Sequence, residues 1–207
     1  MKVAIFSESS TDEAGIRVLV DAILGQPTEP VAVAGIRSRG WDSVRANLSM
    51  VYKQLYFNFE ADGLVVVADS DDSPVHQQAH ESPGMMLNDC RLCTLLSIIE
   101  QERNRCPKAP NRAQFRTAVG VAVPAIEAWF LAGKNIHVTE QAWARGPKGR
   151  TFDRRSLKND LYGERANLPQ QTAKMVEEAK RLAADISVLE QRFPAGFGSI
   201  LRQLRTW

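Results

Sequence analysis

Gly63-Leu64-Val65-Val66-Val67-Ala68-Asp69-Ser70-Asp71-Asp72 is the stretch that decides the fold. A strand wetted on one face alternates apolar and polar residues. Gly63 to Ala68 does not alternate, so both of its faces must be covered, as in the central strand of a parallel sheet with helices on either side. It ends abruptly in acids. Upstream, Lys2 to Ser7 reads as another buried strand, and Ser10-Thr11-Asp12-Glu13 has the Ser-x-x-Glu spacing that opens a helix, here through about Leu24. Val31 to Ile36 is a second β-branched run, and Val44, Leu48, Val51, Leu55 and Phe59 recur at helical spacing over Trp41 to Phe59.

Downstream, a loop carrying Pro74 and Pro83 leads to Leu87–Arg103, with Leu92, Leu95, Leu96 and Ile99 on one helical stripe. Arg116 to Val123 is a fourth strand-like run. Pro124 takes the first helical position of a short apolar helix, Ala125 to Ala132, that Gly133 can stop. Strands alternating with helices imply right-handed crossovers and an α/β fold with an open, mainly parallel sheet flanked by helices. Met175, Ala179, Leu182, Ile186, Leu189 and Phe193 then step by fours and threes as one amphipathic helix, part of a C-terminal helical extension. That stripe reads as core packing, and its heptad-like seam leaves a homodimer open. The expected division is an α/β core over 1–135, with a basic segment and helical extension over 136–207 packed on it.

The chain has 207 residues, 44% of them hydrophobic and 24% charged, which excludes disorder. Its longest apolar stretches, such as Leu64 to Ala68 and Ile126 to Ala132, are far below the roughly 18 residues of a membrane helix. Met1 to Phe6 is too short for a signal peptide before Glu8 interrupts it, so a cytoplasmic protein with no membrane partner is expected. The odd count of cysteines, Cys90, Cys93 and Cys106, agrees with a reducing compartment. A net charge of +2 says little, but Arg145 to Arg165 holds seven basic residues against three acids, a patch suited to phosphates or else a solvated loop.

Ligands of an open parallel sheet bind beyond the carboxyl ends of its strands, where strand order reverses. Glu8 follows the first strand and Asp69-Ser70-Asp71-Asp72 the most hydrophobic one. On an extended backbone Asp69 and Asp71 project together, and with Glu8 they would make a three-carboxylate cluster; Asp12 could add a fourth. Carboxylates packed so closely need a compensating cation, and hard oxygen ligands suit Mg2+ or Mn2+. Taken singly, Asp12 and Glu13 read as acids at a helix N-terminus, and Asp69 to Asp72 as turn formers.

The order of a strand ending in Glu8, a helix, further α/β units and a hydrophobic strand ending in Asp69-x-Asp71 resembles the Toprim domain of topoisomerases, primases and the overcoming-lysogenization-defect nucleases. Val121-Ala122-Val123-Pro124-Ala125-Ile126-Glu127-Ala128-Trp129-Phe130-Leu131 is similar to the strand and Glu-Ala-Trp helix of a Toprim-like bacterial family of unknown function. Arg155-Ser156-Leu157-Lys158 and Phe197-Gly198-Ser199-Ile200-Leu201 are similar to its later lysine-bearing segment and terminal helix. The resemblance implies that Glu8, Asp69 and Asp71 bind metal, with Asp12 as an addition. It also implies that Glu127 contributes to the metal site and that Lys158 contacts the scissile phosphate. Ser9 and Ala125 stand where that pattern has a glycine and a second acid. Without the resemblance, Glu127 is one acid in an apolar turn and Trp129 a core residue.

The leading expectation is a Mg2+- or Mn2+-dependent phosphodiester nuclease acting on DNA or RNA, with Glu8, Asp69, Asp71 and Lys158 catalytic; the resemblance implies a role in phage defence. The chain has no Gly-x4-Gly-Lys-Ser/Thr loop, so an ATPase would be a separate partner. The alternative is a non-catalytic Toprim-like module for nucleic acid or a partner, favoured by Ser9 and Ala125. A phosphoacceptor or haloacid-dehalogenase arrangement fits less well, because the acids those need after the first strand are missing. His76-x3-His80 and Cys90-x2-Cys93 supply zinc-ligand types in zinc-ligand number. The loop between them has no other zinc-ribbon feature and the cysteines open an amphipathic helix, so packing is the expected role.

Overall fold

Among the described residues, four strands pair in parallel, β1 (Lys2–Phe6), β2 (Glu29–Val31), β3 (Gly63–Asp69) and β4 (Arg116–Ala122), in the order β2-β1-β3-β4, and all but the exposed β2 are buried apolar stretches. This computed structural model describes residues 1–33, 40–58, 61–82, 84–106, 115–146, 149 and 152–207. Positions 34–36 of the second β-branched run, Phe59, Pro83, Lys148 and Arg150 lie outside the described residues. β3 is buried along its whole length, as its lack of alternation requires. β2 starts at Glu29 rather than Val31, with Pro30 opposite Val3; a proline is tolerated because β2 is an edge strand.

Successive strand residues point to opposite faces and feed two cores. On one face Ala4, Phe6, Leu64, Val66 and Ala68 pack against α2 (Gly40–Phe57) and α3 (Arg91–Arg105). On the other, Val3, Ile5, Val65 and Val67 pack against α1 (Ser10–Leu24), α4 (Ile126–Phe130), α6 (Arg154–Tyr162), α7 (Leu168–Ala183) and α9 (Gly196–Leu204). The C-terminal helices therefore build most of one layer. α5 (Glu140–Ala144) and α8 (Ser187–Arg192) complete the helices.

β4 is the other edge, and α9 covers it. Gln203 accepts from the Val119 backbone N–H at 3.2 Å and donates to its carbonyl at 2.8 Å, while Ser199 Oγ donates to that carbonyl at 3.0 Å. Side chains thus satisfy an edge that would otherwise invite pairing. The fit requires glycine on both sides: a Cβ on Gly120 would lie 2.4 Å from Ile200, and one on Gly196 2.1 Å from the Val121 carbonyl oxygen. Trp129 is a core residue, edge-on to Phe197 at 5.3 Å.

Four local expectations need correction. The extended backbone ends at Asp69: Asp71 has φ +48 within a turn closed by the Ser73 N–H to Ser70 carbonyl bond at 2.9 Å. Pro124 precedes the N-cap, which is Ala125. α3 begins at Arg91 rather than Leu87. The helix expected from Met175 to Phe193 begins at Leu168, capped by Asn167 and Gln170, and breaks after Ala183; Asp185 then accepts from the Ser187 N–H at 3.2 Å and starts α8. Met175, Ala179 and Leu182 are buried in the chain's own core, so the seam is used internally. Among the described residues, no helix is long and apolar enough to cross a membrane.

Candidate functional site

Strand order reverses between β1 and β3, and the carboxyl ends of those two strands carry Glu8 and Asp69. Glu8 Oε1 accepts the Asp69 backbone N–H at 2.9 Å, locking the first acid to the end of β3. Asp69 Oδ1 accepts the Ile126 N–H at 2.9 Å. It thereby caps α4, whose N-cap, Ala125, is buried and has no side-chain acceptor. The same contact brings Glu127, in the first turn of α4, to the acids on β1 and β3. Asp12 arrives from α1, which Ser9 caps by accepting the Asp12 N–H at 3.2 Å. Ser9 thus has a structural task.

Glu8, Asp12, Asp69 and Glu127 lie close enough to act on one another. Burial, then repulsion from Glu127 and Glu8, pushes the Asp12 carboxyl up to about 7, against the Ser9 hydrogen bond and the Lys158 charge, which lower it. Burial, followed by Glu127, Glu8 and Asp12, raises Asp69 well above the usual carboxylate range despite Arg154. Burial and the neighbouring acids Glu127, Asp12 and Asp69 raise the Tyr162 phenol, which stays neutral. Lys158 Nζ stands 3.7 Å from Glu127 Oε1, and Glu127 Oε2 is buried without a hydrogen-bond partner.

Asp71 takes a different course from the other acids. Its left-handed backbone sends the N–H to the Pro124 carbonyl at 2.9 Å, and its carbonyl accepts Trp143 Nε1 at 3.2 Å. Its carboxylate pairs with Arg91 Nη2 at 2.7 Å and with Arg154 Nη1. Arg154 Nη2 also holds Asp69 Oδ2 at 2.8 Å, and Arg91 Nη1 donates to the Asp69 carbonyl at 2.6 Å. Two guanidiniums thus partly neutralise the acids.

Neither arginine stands out by its residue type, yet each has a readable signal. Both occupy the first position of a helix, where the dipole disfavours cations, so each needs an anion from elsewhere in the fold. The basic segment is accordingly not all loop: Asp153 caps α6, Leu157 and Leu161 bury one face, and Arg155 and Lys158 stay exposed on its surface.

Among the described residues, the tightest set of metal-ligand types is a different one. His76, His80, Cys90 and Cys93 present ligand atoms all within 4.8 Å of one another, while the carboxylates form no such closed set. The packing role expected for the two cysteines therefore omits their histidine neighbours. Comparison of the chain with protein-family models, with curated proteins and with solved structures gives no match in any of the three.

Proposed function

We propose that the chain is a divalent-metal-dependent phosphodiester nuclease of Toprim-like type, working on DNA or RNA. The observation that carries this reading is the convergence of Glu8, Asp12, Asp69 and Glu127 where strand order reverses, with Glu127 Oε2 buried and unpartnered. Carboxylate oxygens are hard donors of the kind that Mg2+ or Mn2+ takes, and a bound cation would draw these acids into a closed set. It would relieve repulsion that two arginines leave partly uncompensated and satisfy an oxygen that no protein donor reaches.

Glu8, Asp69 and Glu127 would hold Mg2+ or Mn2+, with Asp12 beside them and Asp71 tied in through the arginines. When bound, such an ion activates water and stabilises charge on the phosphate. The chain's own residues supply the remainder. Lys158 and Arg154, with side chains 54% and 39% exposed, can draw in and orient a phosphodiester backbone without reading sequence. Tyr162 stays neutral beside the acids, and Trp143 with Pro124 fixes the turn that presents Asp71. The Toprim resemblance extends the reading to a cytoplasmic protein in phage defence, with any ATPase as a separate partner.

Arg154 bridging Asp69 and Asp71 favours a second reading, a non-catalytic Toprim-like module whose acids are already compensated. A cleavage assay on plasmid, linear and single-stranded DNA and on RNA, with Mg2+ or Mn2+, separates the two. Metal-dependent cutting by the wild type, lost in Glu8→Gln and in Asp69→Asn, is the expected result. The amide oxygen introduced by Asp69→Asn still accepts from the Ile126 N–H, so that variant should fold. Undiminished cutting by either variant would exclude the site, and nucleic-acid binding without turnover would favour the module.

A further inference from the structure

We infer that His76, His80, Cys90 and Cys93 form a structural zinc site, separate from the acidic cluster. The ligand types are those of a Cys2His2 centre. His76 Nδ1 lies 3.6 Å from Cys90 Sγ and 3.5 Å from Cys93 Sγ. Tetrahedral zinc, with Zn–N about 2.0–2.1 Å and Zn–S about 2.3 Å, sets neighbouring N and S ligands about 3.6 Å apart. Two edges of the metal-free arrangement already have that length, and all four ligand atoms lie within 4.8 Å of one another. The set is enclosed as well: Cys90, Cys93 and His80 are 1%, 2% and 8% exposed.

The surroundings match what a metal-bound histidine needs. His76 Nε2 faces the Glu81 carboxylate at 3.3 Å, the partner that fixes the tautomer so that Nδ1 is left to ligate. Cys90 is the N-cap and Cys93 the third residue of α3, so the first turn of one helix carries both sulfurs. Binding displaces the two thiol protons. Zn2+ with two thiolates and two neutral imidazoles then has no net charge, a combination that a buried site tolerates. A cleft of about 290 Å3 bordered by His76, His80 and Cys93 offers a path of entry.

Four protein ligands leave no open position, so the role is structural. The ion would join the loop after β3 to the start of α3. There Arg91, between the two cysteines, reaches Asp71 and the Asp69 carbonyl. The site therefore holds in place an arginine that braces the acidic cluster.

Zinc content of the untagged protein, purified without chelator, is the direct test. The expected result is about one zinc per chain, at most about a tenth of that in Cys93→Ser, and release when the thiols are titrated with a mercurial. If Cys93→Ser fails to fold, Co2+ titration of the metal-stripped wild type serves instead, with tetrahedral d–d bands and thiolate-to-cobalt charge-transfer absorption expected. A wild type that carries no zinc and develops no such bands would overturn the inference. So would full zinc retention by Cys93→Ser.

Discussion

Asp12 shows how the environment of a single residue becomes a measurable property of the whole protein. Its carboxyl, ordinarily at 3.8, is pushed up to about 7 in the fold, so the folded state holds a proton that the unfolded chain releases. Between those values the native state binds more protons than the unfolded one, and stability falls as pH rises from about 4 to about 7. This is opposite in sign to a salt-bridged aspartate. Asp12→Asn should therefore raise the Tm of metal-free protein at pH 7 to 8 and change it little near pH 4; equal melting shifts at both ends would contradict this origin. The sequence placed Glu8, Asp69 and Asp12 correctly at strand and helix ends, because alternation and capping are local. The course of Asp71 was not legible, since its positive φ depends on a carbonyl of Pro124 and on the ring of Trp143, both distant in the chain. Arg91 and Arg154 were missed, because the sequence put Arg91 inside a helix from Leu87 and Arg154 in the basic segment; only the observed helix starts show them as cations at an N-terminus.

At the scale of elements, β1, β3, β4 and the first three helices were readable from periodicity to within a few residues, whereas β2 shares only Val31 with the run expected over Val31 to Ile36. Boundaries shifted where the chain breaks inside a continuous apolar stripe, as between Ala183 and Ser187, where Asp185 accepts from the Ser187 N–H and a new helix follows Ile186. The packing of α9 on β4 was hidden for another reason. Gly120 inside a strand signals close backbone approach, but the partner is Ile200, far along the chain. Gly120→Ala would bring a Cβ to 2.4 Å from Ile200 and 2.9 Å from the Gly196 carbonyl oxygen. Overpacking of this kind costs about 1–3 kcal/mol, so thermal denaturation should show a Tm lower by several degrees. A Tm equal to that of the wild type would mean that α9 does not sit flush on the sheet.

At the scale of the molecule, the C-terminal helices have three effects. They build one layer of the core, they cover the β4 edge, and α6 among them carries Arg154 and Lys158 to the acids on β1, β3 and α4. The parallel sheet and its helical flanks were evident in the chain from Gly63 to Asp72 outward. The assembly of His76, His80, Cys90 and Cys93 was visible as spacing, and it needed the loop after β3 to fold back before four ligand types became one cluster. On the proposed reading, the acids at the strand-order reversal and the cations on α6 together would make a place for a metal-bound phosphodiester. Binding of Mn2+ to zinc-loaded protein, followed through loss of the free-ion EPR signal, tests that claim most directly. The wild type should take up Mn2+, with affinity weakened about tenfold or more in Glu8→Gln and in Glu127→Gln. No uptake by the wild type, or uptake by either variant as tight as that of the wild type, would contradict the account.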